Sequence, residues 1–404
     1  MTKMESYVQE VMNWALRAER LFDGNSKHSG FPVVYLRGQQ ILSVDFSGAH
    51  PASSVPLVDL GSSTLMPGMI DTHTHLAFDP HQKNKTSLAH AQGGLVDLMR
   101  THANQALQAG ITTVRDLGDK DYLSLQLRDD YRQGRGPEVL AAGPPITPRQ
   151  GHCWFLGGES QGTSGIRAAI AERARRGVDV VKIMATGGVI TPGWGPHESQ
   201  YSLAELKTAV DAAHDAGMKI TAHAHGPQGI ADAVAAGVDG VEHASFYTEN
   251  DCVPDWNTVE LLAQKQIYIG ATEAWLPPET SLETADTRRL DKRTTVYARM
   301  HQEGVPVLCC SDGGVHPRKT HSCLAHGIIH FGSQLGFSNT EALAVATSRA
   351  AQACGVGDRK GLIAPGYDAD IISINGDPMA RLSDLLDVNA VICAGRIISN
   401  RSHA

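Results

Sequence analysis

Apolar residues recur along this chain in short runs, and between the runs lie longer segments with helical spacing. The runs TLMPGMIDTHTH, ITTVRDL, EVLAAG, VDVVKIM, MKITAH, VDGVEH, QIYIGA and VPVLCC end near His73, Asp116, Gly143, Met184, His223, His243, Ala271 and Cys310. Short, nearly continuous apolar runs suit strands buried on both faces. The segments Leu95 to Gln108, Gly165 to Arg176, Leu203 to Ala216, Gly229 to Ala236 and Thr294 to Glu303 read instead as amphipathic helices. Glycine stands just before several strands, in QAGITT, RRGVDV, DAGMKI, AAGVDG and QEGVPV, where it closes the preceding helix. Strand and helix alternating eight times predict an α/β protein built as a (β/α)8 TIM barrel.

Both ends of the chain carry a different pattern. ALRAERLFDG and FPVVYLRGQQILSVDF near the start, and GLIAPGYDADIISINGDP and NAVICAGRIISNR near the end, read as short β segments. They predict one small β-sandwich domain made of residues 16–62 and 361–404, with the barrel spanning 63–360. Residues 1–15 read as an N-terminal extension, the first dozen as an extra helix.

Composition narrows the function. The 404 residues are 42% hydrophobic, enough for a large core. A net charge of −8, with no long run of Lys or Arg, argues against nucleic acid as a partner. Every apolar run stops well short of the ~18 residues a membrane span needs. Acids in MTKMESYVQEVMNW stand where a secretory signal has its apolar centre. A cytoplasmic homo-oligomer acting on a small molecule, with no membrane partner, is the expectation. The seven cysteines, odd in number and without a CxxC pair, read as reduced thiols.

The chemistry gathers at the ends of the predicted strands. His73 and His75, two apart on a strand, project from one face and suit a metal. With 19 histidines, chance alone supplies roughly one such pair, and His223 with His225 is a second. Position carries more weight. In a TIM barrel the active site sits at the C-terminal ends of the strands. Those ends hold His73, His75, Lys182, His223, His243 and Asp312. Lys182 is the one charge in the stretch VVKIM, and Arg115 with Asp116 reads as a structural pair.

The phrases PGMIDTHTHL, GITTVRDLG, VVKIMATGG, ITAHAHG, VEHAS, CCSDGG and GLIAPGYDADIISINGDP resemble the amidohydrolase superfamily from about residue 16 to the C-terminus. KIMATGG followed by YSLAEL and AHAHG resembles its binuclear subgroup of Xaa-Pro dipeptidases, lysine/arginine carboxypeptidases and the ochratoxin-hydrolysing amidase. The resemblance implies two divalent metal ions, Zn first and Mn, Fe or Co as alternatives. It implies that His73, His75 and Asp312 hold one ion and His223 and His243 the other. Lys182, carboxylated by CO2, would bridge them as a carbamate. His225 would then support the ligands from behind or contact the substrate.

A water between two metals has a lowered pKa. Asp312 would accept its proton and pass it to the leaving nitrogen, and His152 would donate to the developing oxyanion. Trp194, His197 and Tyr201, in the long loop TPGWGPHESQYS, are expected at the substrate. His316, Arg318 and Lys319 read either as carboxylate contacts or as solvated groups. The segment HGIIHFGSQLGFSNTEAL, with His326 and His330, departs from the acidic helix and Gly-Met-Thr-Pro-like turn of relatives, so the substrate is left open between N-acyl amino acids and dipeptide-like molecules. Alternatives at the same site are a cyclic amide or lactone hydrolase, a deaminase, and a C–C bond-forming cyclase. A non-enzymatic scaffold fits less well, because all six ligand-type residues are present.

Overall fold

The computed structural model describes residues 13–90, 93–132, 134–278 and 285–401. The helix expected over the first dozen residues lies outside them. The N-terminal strands are β1 (Trp14–Arg17), β2 (Arg20–Phe22), β3 (Lys27–Ser29), β4 (Val33–Arg37), β5 (Gln40–Asp45), β6 (Leu57–Asp59) and β7 (Thr64–Pro67). Next come β8 (Met69–Thr74), β9 (Ile111–Asp116), β10 (Glu138–Ala141), β11 (Val181–Met184), β12 (Ile220–Ala224), β13 (Gly240–His243), β14 (Tyr268–Ala271) and β15 (Val307–Cys309). The chain closes with β16 (Ile371–Ile374), β17 (Val388–Cys393) and β18 (Arg396–Asn400).

The middle strands are all parallel. β10, β9 and β8 form one sheet, and β11 to β15 run in sequence order through another. Single bridges join the two sheets at both seams, Ile146 to Ile183 and Thr74 to Gly313. At the second seam Asp312 N donates to His73 O at 2.7 Å and His75 N to Gly313 O at 3.1 Å. The last loop of the series is thereby tied beside the first strand.

Helices fill the connections. Leu95–Gln108 buries Leu95, Met99, Ala103, Ala106 and Leu107. Leu203–Asp215 starts in a capping box, with Ser202 and Glu205 each bonding the other's backbone N–H. The glycines that precede strands, Gly110, Gly177, Gly217, Gly237 and Gly304, all take φ between 71° and 90°, the left-handed turn that ends a helix. Helices Leu123–Tyr131 and Trp256–Lys265 also occur, beyond those read from the sequence, and the apolar segment bearing His326 and His330 forms helix Leu324–Gln334.

The two chain ends pair as well. One sheet has the order β5-β4-β1-β6, the other β18-β17-β16-β7-β2-β3. Trp14, Leu16, Leu21, Val34, Leu36, Ile41, Leu65, Ile371 and Ile392 belong to a separate apolar core between them. The run TLMPGMIDTHTH, read as one strand, is split. β7 joins the chain-end sheet, while β8 enters the parallel series. Gly68 stands between them and donates its N–H to Asp370 O. Gly68 thus stands where the chain passes from the chain-end sheet to the parallel series. All seven cysteines are free thiols, six of them buried. Among the described residues no helix is long and apolar enough to cross a membrane.

Candidate metal centre

The C-terminal ends of β8, β11, β12, β13 and β15 converge on one buried cluster. His73 Nε2 lies 3.3 Å from His75 Nε2. Asp312 Oδ1 is 3.5 Å from each of them. The other ring nitrogens face outward from this triangle. His75 Nδ1 donates to Gly118 O at 3.2 Å, and His73 Nδ1 lies 2.9 Å from Glu242 Oε2. A second group sits alongside: ligand atoms of His223, His225 and His243 lie within 4.8 Å of one another. His73 links the two groups, its ring centroid 5.1 Å from that of His243. His223 Nε2 donates to Gly187 O at 3.0 Å. His243 Nδ1 pairs with Thr272 Oγ1 at 3.2 Å and His225 Nδ1 with Ser245 Oγ at 3.0 Å.

Burial sets the protonation of these groups. It pushes His73 down to about 4 and His225 and His152 to about 3, and holds His223 and His243 well below the ordinary imidazole value. All are neutral near pH 7 and keep a lone pair, as metal ligands must. Burial alone would raise Asp312, but its neighbours His75, His73 and Lys319 bring it well below the usual carboxylate range. His243 and Asp312 both sit at positive φ, 70° and 53°. Non-glycine residues take that conformation at a cost that clusters at functional sites.

Lys182 is 1% exposed. Its Nζ has no hydrogen-bond partner. Burial lowers its pKa to about 8, against the opposing pull of Glu242 and Asp312. A buried primary amine without a partner is costly. The fit to metal ions and CO2 is chemical: imidazoles with free lone pairs, a carboxylate kept ionised, and an orphaned amine, all in one place.

The loops contribute unequally. The His152 ring stands 4.6 Å from that of His223, and its Nδ1 is buried without a partner. Trp194 and His197 lie in the loop after β11, the first half-buried and the second exposed. Tyr201, expected at the substrate, donates its hydroxyl to Ser160 O at 2.7 Å and is buried beside Glu205 and Arg173. Its polar end is consumed by backbone. His225, expected outside the ligand set, offers a ring nitrogen within 4.8 Å of those of His223 and His243. Its ring stacks on Tyr247 at 5.7 Å.

Lys319 is neither solvated nor free: Nζ donates to Thr272 O and Ser311 O, both at 2.8 Å. Arg318 and His316 pack about Trp275. His330 lies 3.8 Å from Glu273, which pairs with Arg293 at 2.8 Å. Arg115 and Asp116 do not pair. Adjacent strand residues point to opposite faces, so Arg115 reaches Glu242 while Asp116 accepts from Leu76 N and Gly118 N. Glu242, fully buried under His73, and Thr272, against His243, carry no mark in the sequence beyond lying next to or just past a strand end.

Known proteins share this architecture. The profile of the amidohydrolase family matches residues 64–398. Ochratoxinase from Aspergillus niger is 27% identical over 369 residues, covering 81% of this chain and 73% of that protein. Imidazolonepropionase from Colwellia psychrerythraea is 24% identical over 381 residues, covering 86% and 83%. A crystal structure of a Xaa-Pro dipeptidase with methionine in its active site superposes with a TM-score of 0.81 at 25% identity, covering 96% of this chain and all of that one. The A. niger ochratoxinase structure gives a TM-score of 0.82 at 23% identity, with 96% of each chain covered. A family profile spanning most of the chain and the cluster at the strand ends lead to one conclusion: the chain belongs to the amidohydrolase family and is a hydrolase acting on C–N bonds.

Proposed function

We propose that the protein is a binuclear, cytoplasmic enzyme that hydrolyses the amide bond of N-acyl amino acids or dipeptide-like molecules at the mouth of a closed (β/α)8 barrel formed by residues 63–360. Residues 16–62 and 361–404, joined by β7, would form its β-sandwich domain. One observation carries the reading. His75 Nδ1 must donate to a carbonyl, so its Nε2 is a bare lone pair, and it faces His73 Nε2 and Asp312 Oδ1 at 3.3 and 3.5 Å. Three lone-pair atoms turned toward one point repel unless a cation lies between them. Four-coordinate zinc with bonds of about 2.1 Å holds its ligand atoms about 3.4 Å apart, which the triangle matches.

His73, His75 and Asp312 would hold one ion, and His223 and His243 the other. Lys182 would join them after its free amine takes up CO2 and releases a proton, because an ammonium would repel both ions while a carbamate carries its negative charge on oxygen. Its lowered pKa favours that reaction. A pKa of about 8 leaves roughly a tenth of the amine free at pH 7, against roughly one part in 3,000 at the ordinary 10.5. When bound, the ions supply an acidified water and polarise the scissile carbonyl. The chain's own work is to hold and move protons. Asp312, held below the usual carboxylate range with Lys319 close by, would take the proton of the attacking water and deliver it to the leaving nitrogen. His152, beside His223, is placed to steady the oxyanion if its Nε2 bears the proton. Zn is the first expectation, with Mn, Fe or Co suited to the same donors.

The test is elemental analysis of the purified protein together with turnover of N-acyl amino acids, dipeptides and cyclic amides. Two metal equivalents per chain, with turnover lost to a chelator and restored by metal and bicarbonate, are expected. A single metal equivalent that metal and bicarbonate leave unchanged refutes the binuclear reading.

A further inference from the structure

Beneath the histidines, five strands bring their side chains to one buried point. Glu242 on β13 is 0% exposed and Arg115 on β9 is 2% exposed. Glu242 Oε1 accepts from Arg115 Nη2 at 3.2 Å and from Thr221 Oγ1, on β12, at 2.8 Å. Arg115 is itself fixed, its Nε donating to Thr72 O on β8 at 2.7 Å and its Nη1 to Tyr268 OH on β14 at 2.9 Å. The remaining oxygen, Oε2, lies 2.9 Å from His73 Nδ1. Gly270 on β14 makes room for it: any side chain there would come within 2.0 Å of Oε2.

We propose that Glu242 is a positioning residue for His73: clamped by Arg115 and Thr221, it accepts the Nδ1 proton and so keeps the bare Nε2 turned toward His75 and Asp312. The geometry leaves little freedom. Arg115 can only donate, so the face of residue 242 that meets Arg115 and Thr221 has to be an acceptor. A carboxylate then presents a second acceptor to His73. A glutamine cannot. Its carbonyl would go to Arg115 and Thr221, its NH2 would meet His73, and the ring would invert to the Nε2–H form. That puts a proton where the metal reading requires a lone pair. The role rests on that reading, but the tautomer belongs to the metal-free chain and is measured without metal or turnover.

The experiment is long-range 1H–15N correlation on metal-free protein labelled at histidine, with His73 assigned by the signals missing in His73→Gln. Wild type is expected in the Nδ1–H form and Glu242→Gln in the Nε2–H form. Chelator competition is expected to show Glu242→Gln binding metal about 10- to 100-fold more weakly. Glu242→Asp, which keeps the acceptor, retains the Nδ1–H form. A plain counter-ion for Arg115 would move stability but not the tautomer. The proposal is overturned if wild-type His73 is in the Nε2–H form, or if Glu242→Gln changes neither tautomer nor affinity. Should Glu242→Gln not fold, the wild-type tautomer alone decides. Wild type in the Nδ1–H form that takes up no metal refutes the metal centre and upholds the tautomer assignment.

Discussion

Replacing Lys182 with Met is expected to make the metal-free protein more stable while abolishing its activity. The amine is 1% exposed with no partner for Nζ. A base whose pKa falls from 10.5 in the open chain to about 8 in the folded one costs the folded state about 3 kcal/mol while it remains charged in both. Met has a similar length, no charge, and a flexible thioether that fits irregular cores. Metal-free Lys182→Met should therefore gain up to about 3 kcal/mol in denaturant unfolding at pH 7. The sign can be checked with pH. Below about 8 the penalty is complete. Between about 8 and 10.5 the folded amine is neutral and the unfolded one charged, so wild type gains stability as pH rises and the difference shrinks. With metal and bicarbonate the order should reverse, because only wild type gains ligand-linked stability. A Lys182→Met protein that is less stable than wild type by the same amount at every pH would show that Lys182 is an ordinary packed residue and that the carbamate reasoning fails.

Other outcomes follow from the same geometry. Asp312→Asn keeps shape and one oxygen but removes the base, so metal content should fall modestly and turnover by about 100-fold or more; normal turnover in a less stable protein would leave Asp312 as a turn residue only. His223→Ala should lose metal and rate together, whereas His225→Ala should chiefly alter KM with metal retained; because all three rings lie within 4.8 Å, the reverse result in elemental analysis would exchange their roles. Glu138 is held below its usual value because Arg359 and Lys360 outweigh its burial. That stabilisation exists above about pH 4.5 and disappears in acid, so Glu138→Gln should lower stability at neutral pH, by up to about 1 kcal/mol, and progressively less in acid. A pH-independent difference in melting would refute the ion-network account.

Much of the centre was legible in the sequence because the barrel pattern and the ligand residues share one grammar. A short apolar run ending in His or just before Asp places that group at a strand's C-terminal end, where His73, His75 and Asp312 form one group and His223 and His243 lie in another, with Lys182 buried on β11. What escaped notice is whatever depends on distant partners. Glu242 meets His73 across 169 positions and Arg115 across 127, and no local spacing announces either. Arg115 looked paired with Asp116 because they are adjacent, yet adjacency on a strand separates side chains. Tyr201 sits in a loop suited to substrate, but its hydroxyl found a backbone acceptor first. Gly68 reads as an ordinary strand glycine, and only the sheet pairing on either side of it reveals the passage from one sheet to the other.

The buried cluster also explains why the protein carries so much that opposes folding. His73, His152, His223, His225 and His243 are buried and neutral, each with its pKa depressed from 6.5. In the open chain each takes a proton once the pH falls below about 6.5, so the metal-free fold loses stability in acid from that point. Lys182 opposes folding at neutral pH for the complementary reason, and His243 and Asp312 add strained backbone. All of these groups lie in or beside one cluster, where a cation would turn lone-pair repulsion into bonds. Acid should then act twice on the same atoms, unfolding the metal-free chain and competing with metal for its nitrogens. The residues that cost the empty fold most are those that would gain most from metal, and the surrounding strands must be stable enough to hold them in place until it binds.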